Sequence, residues 1–384
     1  MRIVYCLDQV DATGGIERIT VTKANALAKI PGNEVFILVA FNRNCGVNHL
    51  EGVNLIDLDV QYYNDIGLGP FGGFFFMLKK RREHKMKARS ILNALLPDIV
   101  ISTGMAEKHF LQSIKIYSNP VIIRELHFEK YYRRHSAQSV AQRIISVVSE
   151  FLDYTVFIKG YDKIIVLTEE DHQTNWHDDP KVAVMPNPIA HHSAEKSSYS
   201  NNTVIAVGRL ERQKNFCSLI DAWREVVKKH PDWCLKIYGQ GSKKNSLQRQ
   251  IDDYGLARTC SLEGFTSEIM HHMAQASFFA LSSITEGMPL VMLEAMSCGL
   301  PVVSYTCPSG PRDIVSNGIN GFLVPLNDTR LLADRICMLM DDRSLIKRMG
   351  ANAIETSKQF TLEKIIPRWM ALFNQLLDEK RIEN

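Results

Sequence analysis

Short runs of β-branched and aromatic residues alternate with stretches of helical period along almost the whole chain, a pattern that predicts βαβ units built around parallel sheets. In the first half the runs are RIVYCL (2 to 7), EVFILVAF (34 to 41), NLIDLDV (54 to 60), DIVIST (98 to 103), PVIIREL (120 to 126) and KIIVLT (163 to 168). The periodicity lapses in MPNPIAHHSAEKSSYSNN (185 to 202), where Pro, Ser and Asn predict an inter-domain linker. It then restarts with NTVIAVG (202 to 208), WCLKIYG (233 to 239), CSLEGF (260 to 265), FFALSS (278 to 283), PVVSYT (301 to 306) and GFLVP (321 to 325). Two αβ runs of similar length predict two Rossmann-like domains, residues 1–187 and 188–364, with a ligand in the crevice at the strand C-termini. The last segment, 365–384, opens with the amphipathic run IIPRWMALFNQLLDEK and predicts a helix packing back on the first domain.

The 384 residues are 45% hydrophobic and 23% charged with a formal net charge of +3, which fits a globular protein and is too mild to make nucleic acid a partner. Any basic function must be local. The eight cysteines are scattered without a CxxC pair, so they read as reduced core residues of a cytoplasmic protein. The opening MRIVYCLDQV lacks the parts of a signal peptide, and the longest apolar runs fall short of the ~18 residues a membrane span needs.

Candidate chemistry begins in SSITEGMPLVMLEAMSCGLPVVSY (282 to 305), where Glu286 and Glu294 sit in an apolar passage that contains no Lys or Arg. Carboxylates are rarely buried without a partner. Pro289 suits the first turn of a helix that Gly299 and Pro301 end, placing Glu286 in the strand-to-helix turn and Glu294 within the helix. Vicinal hydroxyls would satisfy Glu294, and backbone N–H groups around Gly287, Met288 and Leu290 offer an anion site. Spacing alone is equally open to a Glu bonded to a neighbouring side chain or to backbone. VGRLERQKNF (207 to 216) places Arg209 just past a strand end and Lys214 five residues on, where both cations can converge on a diphosphate. Gly14 and Gly15, between the first strand and first helix, allow close backbone approach to phosphate. Taken singly, these are a basic turn and a tight turn; at the same topological position in both halves they reinforce one another.

With these motifs in order, the chain resembles the retaining GT-B glycosyltransferases of glycosyltransferase family 4. The residues that carry the resemblance are GGIER, GRLERQK, IYGQGSKKNSL (237 to 247), LEGF, EGMPLVMLEAMSCGLPVV (286 to 303) and NGINGFLV (317 to 324). The resemblance implies an α/β GT-B fold with two facing Rossmann-like domains and a deep cleft, a nucleotide-diphosphate sugar on the C-terminal domain, an acceptor on the N-terminal domain, and no metal or other cofactor. It implies that Glu294 holds the ribose hydroxyls, that Glu286 and the following Gly287, Met288, Pro289, Leu290 and Val291 border the donor sugar, and that Arg209 and Lys214 neutralise the diphosphate. Gly14 and Gly15 approach the phosphates from the other domain, Gly239 and Phe265 belong to the donor site, and His127 lies near donor sugar and acceptor. The implied catalytic set is His127, Lys214, Arg209 and Glu286, acting by a front-face mechanism. The implied reaction moves a hexose or N-acetylhexosamine, UDP-linked by family frequency, to a glycan or lipid-linked acceptor in cell-surface polysaccharide synthesis. The alternative on the same architecture is a nucleotide-sugar epimerase or hydrolase without a separate acceptor. An NAD enzyme is disfavoured, because neither TGGIER nor GQGSKKN fits G-x-G-x-x-G.

Some features stand outside that pattern. In CPSGPRDIVSNGINGF (307 to 322), Arg312 and Asp313 are candidates to read sugar hydroxyls or an acceptor, or to pair with each other or with solvent. Asp57 and Asp59 imitate a metal motif but suit a strand with one polar face, and the pairs His191/His192 and His271/His272 lack ligand spacing. From Lys79 to Arg89 seven Lys or Arg face one Glu, directly after Phe74, Phe75 and Phe76. Residues 71–89 are therefore a candidate peripheral membrane contact on the inner face of the cell membrane; a solvated helix over core phenylalanines fits the same pattern.

Overall fold

The structure is a computed structural model that describes residues 1–10, 14–42, 49–62, 70–137, 139–190 and 192–383, without the side chains of residues 70–72, 74 and 383. Strands β1 (Arg2–Leu7), β2 (Glu34–Val39), β3 (Val53–Asp57), β4 (Ile99–Ser102), β5 (Val121–Glu125), β6 (Lys163–Val166) and β7 (Val182–Val184) form one sheet in the order β3-β2-β1-β4-β5-β6-β7. The second sheet holds β8 (Thr203–Val207), β9 (Cys234–Tyr238), β10 (Cys260–Gly264), β11 (Phe278–Leu281), β12 (Val302–Tyr305) and β13 (Gly321–Val324) in the order β10-β9-β8-β11-β12-β13. Every pairing in both sheets is parallel.

Parallel strands are covered by helices on both faces, so their runs are apolar throughout. Both IVIS of β4 and FFAL of β11 are buried at every position. At the sheet edges polar positions reach the surface, Asn54 and Asp57 on β3 and Glu263 on β10. In each sheet the order reverses beside the first strand, between β1 and β4 and between β8 and β11, the place where α/β sheets open a crevice. The loops carrying Gly14, Lys214 and Glu286 all leave strands at these two reversals.

The chain crosses between domains twice along one line, where Ile189 N donates to Phe360 O at 2.8 Å. The helix Leu362–Glu383 then lies on the first domain, burying Ile365, Trp369 and Phe373 in the same core as Leu27 and Ile37.

Candidate active site

The C-terminal half of the site is fixed by hydrogen bonds between two loops. Ser282 Oγ donates to Lys214 O at 2.8 Å, Ile284 N to Gln213 O at 2.9 Å, and Gln213 Nε2 to Thr285 O at 2.9 Å. Lys214 is thereby held against Glu286, with Nζ 2.6 Å from Oε1, and its stem lies on Gly208, where a Cβ would come within 2.9 Å of Cε. Arg209 is exposed, and its guanidinium reaches Gln213 Oε1 at 3.4 Å. Gly239, at φ +146°, lets β9 end against β8: a Cβ there would lie 1.9 Å from Gly208 O. The helix Leu290–Ser297 begins one residue later than the sequence suggests, because Pro289 takes the N-cap position. The amides of Leu290 and Val291 are still first-turn groups without intrahelical acceptors. Met288 is buried, and its Sδ accepts Asn187 N at 3.3 Å.

Neither glutamate lacks a protein partner. Glu286 has Lys214, and Glu294 accepts from Arg18 of the opposite domain at 2.7 Å. Both carboxylates are thus bonded to side chains, the alternative that spacing alone left open, and one of the pairs crosses the cleft. Arg18 lies in GGIER, but nothing local to that motif points at a residue 276 positions away. The two pairs differ in exposure: the Arg18 side chain is 51% accessible and Lys214 14%, so the first is the one a ligand can displace at small cost.

Other contacts close the same seam. A Cβ on Gly287 would lie 2.0 Å from His127 O, so only glycine lets the turn after β11 seat against the chain just past the end of β5. Thr285 Oγ1 donates to Glu129 Oε1 at 3.5 Å. Gly14 is the N-cap of the helix Gly15–Ala28, and a Cβ on Gly15 would meet nothing within 4 Å. Arg312 and Asp313 do not pair with each other: Asp313 accepts the Glu169 amide at 2.6 Å, and Arg312, itself exposed, binds Glu170 at 2.5 Å, both at the start of the helix Glu169–Trp176.

The His127 side chain is buried, and burial pushes its imidazole down to about 4, so the ring is neutral at pH 7. Its Nε2 lies 3.6 Å from Glu125 Oε1, and Glu125 is itself ion-paired with the fully buried Lys23. The Lys23 ammonium stands 5.0 Å over the Trp369 ring of the C-terminal helix. Beside His127 a cavity of about 50 Å³ is lined by Arg124, Lys108, Arg133, Asp153 and Tyr132 among others. Of this buried network only His127 was anticipated. RELHFEK also contains Arg124, Glu125 and Glu129, and that density of charge beside a strand is the signal that was available.

Two switch points thus bring cations, carboxylates and helix starts together across one cleft. Residues 190–356 match the family of glycosyl transferases group 1. The C-terminal domain resembles group 1 glycosyl transferases. An uncharacterized glycosyltransferase of Haemophilus influenzae is 27% identical over 97% of this chain and 99% of its own length. The poly(ribitol-phosphate) alpha-N-acetylglucosaminyltransferase of Staphylococcus aureus is 30% identical over 55% of this chain and 43% of its own length. Among solved structures, the pneumococcal O-GlcNAc transferase GtfA in complex with UDP and GlcNAc superposes with a TM-score of 0.71 at 16% identity, over 98% of this chain and 99% of that one. The architecture is GT-B, and the relatives support a glycosyltransferase.

Phe265 stands 73% exposed just after β10. His271 pairs with Glu195 at 2.9 Å and His272 stacks on Tyr238, while His192 meets Ser357; His191 lies outside the described residues. Asp57 accepts the amides of Asn42 and Asp59, which makes the Asp57 to Asp59 run a strand-end turn. Seven cysteines are unpaired thiols, with Cys217 exposed rather than in the core, and Cys45 lies outside the described residues. The basic segment falls in the helix Pro70–Leu95, where Phe75 is 67% exposed and Phe76 lies under Lys80; the Phe74 side chain is outside the described residues. Among the described residues no helix is long and apolar enough to cross a membrane.

Proposed function

We propose that the protein is a retaining, metal-independent hexosyltransferase that moves a hexose or N-acetylhexosamine from a UDP-sugar to a glycan or lipid-linked acceptor in cell-surface polysaccharide synthesis. The observation that carries this reading is the seating of Gly287 beneath the His127 carbonyl, which brings the Lys214–Glu286 pair to the wall of the acceptor domain. Glu294 exchanges Arg18 for the ribose hydroxyls, and Phe265 offers the base an aromatic face. Lys214 and Arg209 take the diphosphate and stabilise it as it leaves, the task a metal has elsewhere. The leaving phosphate accepts the acceptor's proton on the same face of the sugar, while neutral His127 borders the reacting centre. UDP as the carrier is supported by the relative solved with UDP and GlcNAc.

Thermal melting of the wild type and Glu294→Ala with UDP, GDP and NAD in parallel tests the reading. Ligand at ~100 times its dissociation constant adds about 2.7 kcal/mol, a shift of a few degrees. A UDP shift abolished by Glu294→Ala is expected. A shift with NAD alone, or with no nucleotide, overturns the proposal.

A further inference from the structure

The helix Val140–Thr155 is built inside out. Its inward residues are Ser146, Glu150 and Asp153, spaced to share one face. They are held by charge: Arg134 pairs with Glu150 at 2.9 Å, and Asp153 takes both Lys108 at 2.6 Å and Arg133 at 2.8 Å. The opposite face carries Val140, Ile144, Val148 and Phe151 at 77, 60, 55 and 63% exposure, flanked by exposed Ile145 and Leu152. An apolar stripe this long facing water marks an interaction surface.

The charges around it say what covers it. Both carboxylates of the helix are turned inward and paired, so the outward face has none, while Arg143 is exposed on it and Lys159 just beyond it. The Phe157 ring, two residues past the helix, packs edge-on against His109 at 4.8 Å, and Arg81 of the basic helix Pro70–Leu95 acts electrostatically on that same histidine. The Val140–Thr155 helix and the basic helix Pro70–Leu95 thus both approach the segment Lys108–His109. Apolar side chains rimmed by cations without anions complement an anionic lipid surface.

We propose that the Val140–Thr155 helix seats the protein on an anionic membrane surface, its apolar face in the interface and the basic helix Pro70–Leu95 against the headgroups. Asp153, Tyr154, Phe157 and Ile158, behind that face, line the cavity that reaches His127. An acceptor carried on a lipid then has a short path from the bilayer to the cleft; this last step rests on the transferase reading, whereas the seat does not.

The test is co-sedimentation with vesicles of phosphatidylcholine, with and without one part phosphatidylglycerol in three. Wild type, Ile144→Ser/Val148→Ser/Phe151→Ser and Lys79→Gln/Arg81→Gln/Arg82→Gln are compared, with Phe151→Ser alone in case the triple serine variant does not fold. Wild type is expected to prefer the anionic vesicles, the serine variant to bind them at least tenfold more weakly, and the glutamine variant to lose the preference. No binding by wild type, or unchanged binding by folded serine variants, overturns the seat. So does sedimentation velocity showing that the serine changes dissociate a dimer while vesicle binding stays intact, since the face would then belong to a second copy. The UDP melting shift, measured on the same samples, is expected to be unchanged; its absence in wild type beside normal vesicle binding would remove the transferase reading and leave the seat standing.

Discussion

The two walls of the cleft handle charge in opposite ways. On the C-terminal wall the ionic groups stand on strand-to-helix turns at the cleft: Lys214 with Glu286, and Arg209 exposed beside them. On the N-terminal wall they lie beneath the surface, as Lys23 with Glu125, Arg124 near Glu107 and Lys108 with Asp153. Charge at a turn is held at the cleft by hydrogen bonds between the loops that carry it; charge under a wall is positioned by its partner and holds the wall's shape. Under the proposed function, the first arrangement suits a donor whose diphosphate is always the same, and the second a face whose acceptor pocket is kept rigid.

That contrast is most exposed to test at Lys23. Lys23→Met leaves Glu125 buried without a cation, and breaking a buried pair costs about 3–5 kcal/mol. Glu125 is held below its ordinary value by Lys23 despite its burial, so losing the lysine raises its pKa and draws a proton. A large fall in melting temperature is expected, with kcat per folded molecule and UDP affinity little changed. A folded, fully stable variant with lost turnover would place Lys23 in the chemistry and erase the difference between the walls.

Lys214→Ala is the mirror experiment. Removing one preorganised charge donor typically costs roughly 10²–10³ in kcat, so turnover should fall by that factor while melting of the ligand-free protein moves much less than in Lys23→Met. Initial rates with a UDP-sugar, alongside circular dichroism, read both. A variant that unfolds while its folded fraction still turns over normally would make Lys214 structural.

The contrast also explains what was legible in the sequence. The parallel sheets were, because strands covered on both faces read as unbroken apolar runs; β7, only VAV, is too short to register. The donor-side turns were, because a strand, a turn and a helix fix where Lys214 and Glu286 stand. The partners were not: Lys23 meets a residue 102 positions away and Arg18 one 276 positions away, distances that only the packed domains bring together. The orientation of Val140–Thr155 was hidden for a related reason. Its periodicity shows an apolar face, and only Arg133, Arg134 and Lys108, supplied by other segments, decide that this face points outward.

Arg18 is where the two walls touch, and its effect is the smallest. Its pair with Glu294 is half open to water, and such pairs contribute about 0–1 kcal/mol. Any ligand that places hydroxyls on Glu294 must first displace the guanidinium. Uridine, which has the ribose but no phosphate, isolates that step: calorimetry should find it bound up to about fivefold more tightly by Arg18→Gln than by wild type, the factor that about 1 kcal/mol allows. Weaker uridine binding by the variant would make Arg18 a partner of the bound nucleoside, and the N-terminal wall would then contribute a ligand-facing charge of its own. Tighter binding leaves the division intact, with Arg18 a latch that the ribose opens.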